Sequence, residues 1–197
     1  MTGTMLSDSP LKRPSSEKWL TAVLADFDTF LLDHAANERK ASTMAMSLVA
    51  HYPDKKKLVE AMIDLALEEL NHFRQVVRLI NRRDMVLAPD EKDAYVNQLR
   101  NHFRKGAEKY FLDRLLCAAV IEARGAERFN LIAGALQEPD LKAFYTSLSK
   151  SESNHYELFT NLAAVYFPKP TVQQRFHEWL TIEDRIMDSL DIKPRLH

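Results

Sequence analysis

Glu69-Leu70-Asn71-His72 is the stretch that decides the fold, because the same spacing returns as Glu152-Ser153-Asn154-His155. Each copy is preceded by another glutamate, Glu38 and Glu122, at distances of 31 and 30 residues from the glutamate of the motif. The repeated pattern, one glutamate followed by Glu-x-x-His, predicts a duplicated pair of helices. We expect the rest of the chain to be the scaffold that brings the two halves together.

The composition favours helices. The chain has 197 residues and 46% hydrophobic content, which is enough for one domain with a substantial core. Its four glycines, Gly3, Gly106, Gly125 and Gly134, form no phosphate-binding loop. A nucleotide-binding α/β fold is therefore disfavoured.

The net charge and the cysteine content limit which partners and which cellular compartment we expect. The net charge of −1 gives no overall bias toward nucleic acid, so such a partner must be argued from local basic clusters. Cys117 is the single cysteine and has apolar neighbours, which suits a buried thiol in a reducing compartment. Residues 1–16 lack an apolar signal region, and no later run is apolar enough for a membrane span. We expect a soluble cytoplasmic protein.

Apolar residues recur at helical spacing along most of the chain. The chain is predicted to be a single all-α domain with an irregular lead-in over residues 1–15. Pro53 should end the first long helix and Asp54 should cap the second. Residues 84–106 are interpreted as a crossover with a short helix that starts at residues 88–90. The predicted core helices cover about 26–51, 54–82, 107–136 and 139–166, and a C-terminal helix covers about 172–190.

The repeated glutamates and histidines predict a metal centre. Residues i and i+3 of a helix project from one face, so each Glu-x-x-His aims a carboxylate and an imidazole at the same point. Two such pairs, with one glutamate from each remaining helix, make the two-metal arrangement of ferritin-like four-helix bundles. The mixed nitrogen and oxygen donors suit iron or manganese better than a structural zinc. The predicted ligands are Glu38, Glu69, His72, Glu122, Glu152 and His155.

Several assignments within this centre have alternatives. A single Glu-x-x-His is common by chance and usually solvated, so the prediction rests on both copies. Glu127 competes with Glu122 but lies off the apolar stripe. Glu68 could orient a ligating imidazole or could be an ordinary surface glutamate. Gly125, which costs a helix roughly 1 kcal/mol relative to alanine, could serve close packing or leave space for oxygen or substrate. Glu69 and Glu152 are the expected bridging ligands.

With its flanking residues, the pattern resembles a known family of diiron oxygenases. Three segments, residues 34–42, 67–73 and 121–128, resemble the MiaE family of tRNA 2-methylthio-isopentenyladenosine hydroxylases, and residues 149–155 fit the motif of its fourth helix. The similarity covers roughly residues 20 to 190. The six-ligand pattern alone is typical of the whole superfamily, so the identification of the family rests on the flanks and the chain length.

The resemblance implies an activity, a cofactor and partners. It implies a non-haem diiron monooxygenase that uses two iron ions, O2 and an external electron-donating reductase. Its substrate would be the prenylated adenosine beside the anticodon of tRNA, hydroxylated on the isopentenyl chain. Three basic clusters are candidate phosphate contacts: Lys55–Lys57, Arg82–Arg83, and the group of Arg100, Arg104, Lys105 and Lys109.

The same pattern of glutamates and histidines is compatible with other functions. A ferroxidase or iron-storage protein, a peroxide-reducing protein and a quinone hydroxylase can share these ligands. The single cysteine disfavours a protein that also holds a rubredoxin-type iron site. A metal-free helical bundle that serves as an interaction module is the alternative from a different class.

Overall fold

The computed structural model describes residues 9–197, and all the regular secondary structure in that range is helical. Residues 1–8 of the predicted lead-in lie outside the described part. None of the described helices combines the length and the apolar character that crossing a membrane requires. The helices are α1 (Glu17–Ala25), α2 (Phe27–His51), α3 (Lys56–Asn81), α4 (Ala94–Arg100), α5 (Ala107–Ala135), α6 (Pro139–Tyr166) and α7 (Lys169–Ser189).

The described residues form two compact units. One unit comprises residues 21–91 and 193–196, in which α2 and α3 pack against each other as a hairpin. The other comprises residues 9–20, 92–192 and 197, in which α5 and α6 form a second hairpin and α7 packs on α5. Each predicted pair of long helices is therefore present as a helical hairpin.

The turn between α2 and α3 differs from the predicted one. Helix α3 begins at Lys56 with Lys55 as its N-cap residue, and no side chain caps it. The prediction that Asp54 caps this helix was wrong, because the helix starts one residue too late for that carboxylate. A side-chain cap is found instead on α2, where Asp26 accepts a hydrogen bond from the backbone N–H of Thr29 at 3.2 Å.

The short helix α4 begins later than predicted. Asp93 is its N-cap residue and accepts a hydrogen bond from the backbone N–H of Val96 at 2.9 Å. The residues before it are held by α2: Asp90 pairs with Arg39, and the carbonyl of Glu91 accepts from Lys40 Nζ at 3.0 Å. These contacts keep residues 85–92 out of a helix.

Asp113, on α5, is the buried anchor of the second unit. Its carboxylate accepts hydrogen bonds from the backbone and side chain of Arg104, from Arg175 Nε at 2.7 Å, and from Trp179 Nε1 at 3.3 Å. Burial alone would raise the pKa of Asp113, but the hydrogen bonds from Arg175 and Arg104 outweigh it and hold the pKa below its usual range. One carboxylate thus ties the connection before α5 and the start of α7 to α5.

A second buried ion network lies further along α5. Arg124 has no exposed surface, and its Nη2 is 2.7 Å from Glu183 Oε1 on α7. Arg124 also donates to Glu127 Oε2 at 3.0 Å, and Ser15 donates to both oxygens of Glu127 at 2.7 and 2.8 Å. The guanidinium of Arg128 lies 4.4 Å over the ring of Trp19. The network fixes residues 13–19 and α7 against α5.

We predict that Asp113→Asn destabilises the protein by about 3 kcal/mol at pH 7, because Arg104 and Arg175 lose the charge of the buried carboxylate that they share and Arg175 keeps only Glu178. Chemical denaturation would measure this loss. Because the folded pKa of Asp113 lies below the unfolded value of about 3.9, the stabilisation is complete above that pH and disappears as the pH falls through the folded pKa. The difference between the two proteins should therefore shrink in acid.

Asp191→Asn is the matched control, because Asp191 is an exposed aspartate just beyond α7. It should change the free energy of unfolding by no more than about 0.5 kcal/mol. A wild-type and an Asp113→Asn protein with equal stability at pH 7 would contradict the assigned role of Asp113.

Candidate metal centre

The first cluster of predicted ligands lies on the α2–α3 hairpin. Glu38, Glu69 and His72 are all buried, and each offers a ligand atom within 4.8 Å of those of the other two. His72 Nδ1 is 3.6 Å from Glu38 Oε2 and 3.6 Å from Glu69 Oε2. The spacing of Glu69 and His72 puts both on the face of α3 that packs toward α2. A nitrogen and two carboxylates thus converge, as the sequence predicted.

The hairpin that carries this cluster is joined by a hydrogen bond between its helices. The hydroxyl of Ser42, one turn after Glu38 on α2, donates to the carbonyl of Ala66 on α3 at 2.8 Å. Ala66 lies one turn before Glu69. The bond therefore fixes the register of the two helices close to the ligands.

His34 lies beside the first cluster and was not among the predicted site residues. Its side chain has no exposed surface, and its Nε2 lies 2.6 Å from Glu38 Oε1. The two residues are one helical turn apart on α2, so the i to i+4 spacing was the signal that could have revealed it. Because His34 occupies Oε1, the other oxygen of Glu38 is the one that faces His72.

Charge compensation stabilises the buried groups of this cluster. Burial would raise the pKa of Glu38, but the hydrogen bond with His34 and the nearby His72 hold it well below its usual range. Burial lowers the pKa of His72, but the carboxylates of Glu38 and Glu69 outweigh it and raise the pKa to about 9. The cluster therefore favours a positive charge at the point where His72 Nδ1 meets the two carboxylates.

The second cluster repeats this arrangement on the α5–α6 hairpin. Glu122, Glu152 and His155 are buried, and His155 Nδ1 is 3.7 Å from Glu122 Oε2 and 3.8 Å from Glu152 Oε2. The hydroxyl of Ser149 donates to the carbonyl of Ala126 at 2.8 Å, which again joins the two helices beside the ligands. Both copies of the sequence motif therefore produce the same local constellation.

Glu127 is excluded as a member of the second cluster. Its two oxygens accept hydrogen bonds from Ser15 and Arg124, so its carboxylate belongs to the ion network described above. Glu122 is the glutamate of α5 that meets His155. The apolar stripe of the sequence favoured Glu122 over Glu127 in the same way.

The surroundings of the two clusters differ. Glu68 Oε1 is 3.9 Å from His72 Nε2, whereas the equivalent position before His155 is Ser151, whose hydroxyl is 3.5 Å from His155 Nε2. Four residues before Glu122, where His34 stands in the first half, the chain has Ala118. The ligand atoms repeat, but the groups behind them do not.

Gly125 leaves the side of Glu152 open. A Cβ atom at this position would lie 3.6 Å from Glu152 Oε2 and 3.7 Å from Glu152 Cγ, which are ordinary contact distances. Packing between helix backbones therefore does not require a glycine here. A methyl group would fit at this position in contact with the Glu152 side chain, and a role for Gly125 in leaving space for oxygen or substrate stays a prediction.

The predicted phosphate-binding clusters are exposed, with one correction. Lys56, Lys57, Arg82 and Arg100 lie on the surface. Arg104 does not belong with them, because its guanidinium is bound to both oxygens of the buried Asp113.

The chain matches the family model described as tRNA-(MS2IO6A)-hydroxylase (MiaE) over residues 4–197. Two similar proteins carry the name tRNA 2-(methylsulfanyl)-N(6)-isopentenyladenosine(37) hydroxylase. The one from Pseudomonas putida is 36% identical over 190 residues, which are 96% of this chain and 92% of that protein. The one from Salmonella typhimurium is 34% identical over 131 residues, which are 66% of this chain and 48% of that protein.

A solved structure is similar in fold as well as in sequence. It is described as Protein 43 with aldehyde deformylating oxygenase activity from Synechococcus, and it matches with a TM-score of 0.90 and 34% identity over 95% of this chain and 94% of that chain. The predicted all-α, ferritin-like fold class is thereby confirmed. With its match to the family model over residues 4–197 and its identity to the Pseudomonas protein, this chain belongs to the MiaE family.

Proposed function

We propose that this protein hydroxylates the isopentenyl side chain of 2-methylthio-N6-isopentenyladenosine in tRNA, next to the anticodon. The observation that carries the proposal is the similarity to the Pseudomonas hydroxylase over nearly the whole chain. The two buried clusters support it, because an oxygenase needs a site where O2 can be activated away from water. The single buried cysteine and the absence of a membrane-spanning helix among the described residues are compatible with the cytoplasm, where we place the reaction.

We also propose that the two clusters together hold two iron ions. The donor set fits this cofactor, since four buried carboxylates balance the four positive charges of two divalent ions. Glu38, Glu69 and His72 would hold iron on the α2–α3 hairpin, and Glu122, Glu152 and His155 would hold iron on the α5–α6 hairpin. The assigned ligands are Glu38, Glu69, His72, Glu122, Glu152 and His155.

The chain's own residues would orient and protect this centre. When bound, the iron pair would supply the activation of O2 and the hydroxylation of the prenyl group. His72 and His155 would bind through Nδ1, because that nitrogen is the one that faces the carboxylates in each cluster. Glu68 and Ser151 lie behind the two imidazoles at Nε2 and would fix the ring orientation.

Apolar side chains on the same helices would exclude water. They belong to the ligand-bearing faces and are at most 2% exposed; Leu31, Ala35, Leu65, Val76, Ala119, Leu148 and Phe159 are examples. A dry environment keeps the reaction directed at the substrate and prevents the loss of oxidising equivalents to solvent.

Two partners follow from the proposed reaction. Inserting one oxygen atom of O2 into a C–H bond and releasing the other as water consumes two electrons and two protons, so a separate reductase must supply the electrons. The tRNA backbone needs cationic contacts, for which the residues of the three basic clusters, without Arg104, are the candidates. These are Lys55–Lys57, Arg82–Arg83, Arg100, Lys105 and Lys109.

A second candidate function is the oxidative deformylation of an aldehyde. It is favoured by the similarity to the Synechococcus protein described as having that activity. The two candidates would share the metal centre and differ in the substrate that reaches it. Incubating the iron-loaded protein with a long-chain aldehyde and an electron donor would distinguish them, because a tRNA hydroxylase should leave the aldehyde unchanged.

We predict that protein loaded with iron in the absence of oxygen binds about two ions per chain and that Glu152→Ala loses at least one of them, because it removes a carboxylate that would hold iron. Iron analysis after desalting would measure this. Glu157→Ala is the matched control, since Glu157 is an exposed glutamate on the same helix. Wild-type protein that retains well under one ion per chain would refute the proposed centre.

His34 should act as a positioning residue for Glu38. We predict that His34→Ala weakens iron binding about 10-fold or more in a competition with a chelator, because Glu38 loses the hydrogen bond that orients it. His34→Gln keeps a side-chain hydrogen-bond donor and should retain most of the affinity. Equal losses in the two variants would indicate that His34 fills space instead of orienting the carboxylate.

The substrate assignment can be tested in cells. We predict that tRNA from cells lacking the gene contains the prenylated 2-methylthioadenosine without the added oxygen atom, as measured by mass spectrometry of the nucleosides. A plasmid copy of the wild-type gene or of Glu157→Ala should restore the hydroxylated nucleoside, whereas Glu152→Ala should not. Identical nucleosides with and without the gene would reject this substrate and leave the iron prediction standing.

A further inference from the structure

Helix α3 has an exposed apolar stripe opposite its buried ligands. Glu69 and His72 lie on its buried face, whereas Ile63, Leu67 and Leu70 are 42%, 63% and 50% exposed. These three residues follow one another at i, i+4 and i+7, so they form a single stripe along the helix. A row of exposed apolar side chains along one helix is suited to contact with another molecule.

Charges of opposite sign stand at the two ends of this stripe. Glu60 and Asp64, on its N-terminal side, are exposed, and so are Arg74 and Arg78 on its C-terminal side. In the chain itself Arg74 donates a hydrogen bond to Asn71, which is neutral, so its charge is not balanced by that contact. The exposed face of α3 is therefore acidic at one end, apolar in the middle and basic at the other end.

The charges are placed symmetrically along the helix. Asp64 and Arg74 each lie five residues from Glu69, and Glu60 and Arg78 each lie nine residues from it. If a second α3 were laid antiparallel on the first about a twofold axis at that level, Asp64 and Glu60 would each meet a guanidinium. The stripe is thus complementary to itself.

We propose that this face of α3 is the interface of a homodimer, with a second copy of the chain docked antiparallel on it. Asp64 would pair with Arg74 of the partner subunit, and Glu60 with Arg78 of the partner subunit. Leu67 and Leu70 lie next to the axis and form the apolar centre of the contact. The ligand-bearing face of each α3 points away from this interface.

The charge pattern disfavours the other obvious occupants. A tRNA backbone or an acidic electron-transfer protein would be attracted by Arg74 and Arg78 but repelled by Glu60 and Asp64. A basic partner would meet the reverse situation. A partner fits both ends when it places basic groups opposite Glu60 and Asp64 and acidic groups opposite Arg74 and Arg78. A second copy of α3 in the antiparallel orientation has this arrangement of charges.

The outer ends of the helix limit the size of the interface. Lys56 and Arg82 are also placed symmetrically about Glu69. If the axes of the two α3 helices were parallel, Lys56 of one copy would lie beside Arg82 of the other, and their like charges would repel. Packed helices cross at an angle, so their ends diverge and these charges separate. The contact is then confined to the middle turns, which predicts a weak dimer with a Kd on the order of 10 µM.

Charge reversal gives a specific test of the pairing. Sedimentation equilibrium of the purified full chain, from roughly 1 to 200 µM, should show a monomer–dimer equilibrium. Asp64→Arg and Arg74→Asp should each raise the dimer Kd by about tenfold or more, because each creates two pairs of like charges. Lys142→Glu, a reversal at an exposed residue of α6, is the control and should leave the Kd unchanged.

Mixing the two reversed proteins should restore dimerisation. In the mixture, the arginine introduced at position 64 of one chain meets the aspartate introduced at position 74 of the other, so both pairs become attractive again. Circular dichroism would confirm that each variant is folded. A wild-type monomer throughout the concentration range, unaltered dimerisation of the single variants, or a mixture that stays monomeric would each overturn the proposal. Loss of tRNA binding by Arg74→Asp with a monomeric wild type would assign the face to tRNA instead.

Discussion

The burial of carboxylates inside helical hairpins is the constraint on which the structure depends. An ionised glutamate removed from water is strongly unfavourable unless a positive charge or hydrogen-bond donors stand beside it. Each hairpin supplies such partners locally: His72 lies between Glu38 and Glu69, and His155 lies between Glu122 and Glu152. The same arrangement that makes these carboxylates tolerable in a core also makes them suitable ligands for divalent metal ions.

The ion networks of α5 follow the same rule for a structural purpose. Asp113 and Glu127 are buried on the helix that carries Glu122, yet their oxygens are occupied by arginine, serine and backbone donors. A carboxylate saturated in this way has no oxygen left to offer a metal. Glu122 differs from these anchoring acids because it faces an imidazole, as a proposed metal ligand should.

Sequence periodicity predicted the long helices and the ligand clusters because both depend on local spacing. The i to i+3 relation of Glu152 and His155 is set by the helix alone, and the apolar stripe chose Glu122 over Glu127. The beginning of α4 was predicted less well. The segment before it contacts a distant part of the chain, through Asp90 with Arg39, and no local pattern encodes that contact. Arg104 was misjudged for the same reason, since its partner Asp113 becomes visible only in the folded structure.

The two halves repeat their ligands but not the groups behind them, and this difference bears on the proposed centre. In the first half Glu38 is held by His34, and the carboxylate of Glu68 stands behind His72. In the second half the equivalent positions are Ala118 and Ser151, which offer a methyl group and a hydroxyl. Side chains that contact a metal ligand change its basicity and orientation, so two ions bound here would have different electrostatic environments. A duplicated pattern can in this way give two metal positions that are alike in geometry and unlike in chemistry.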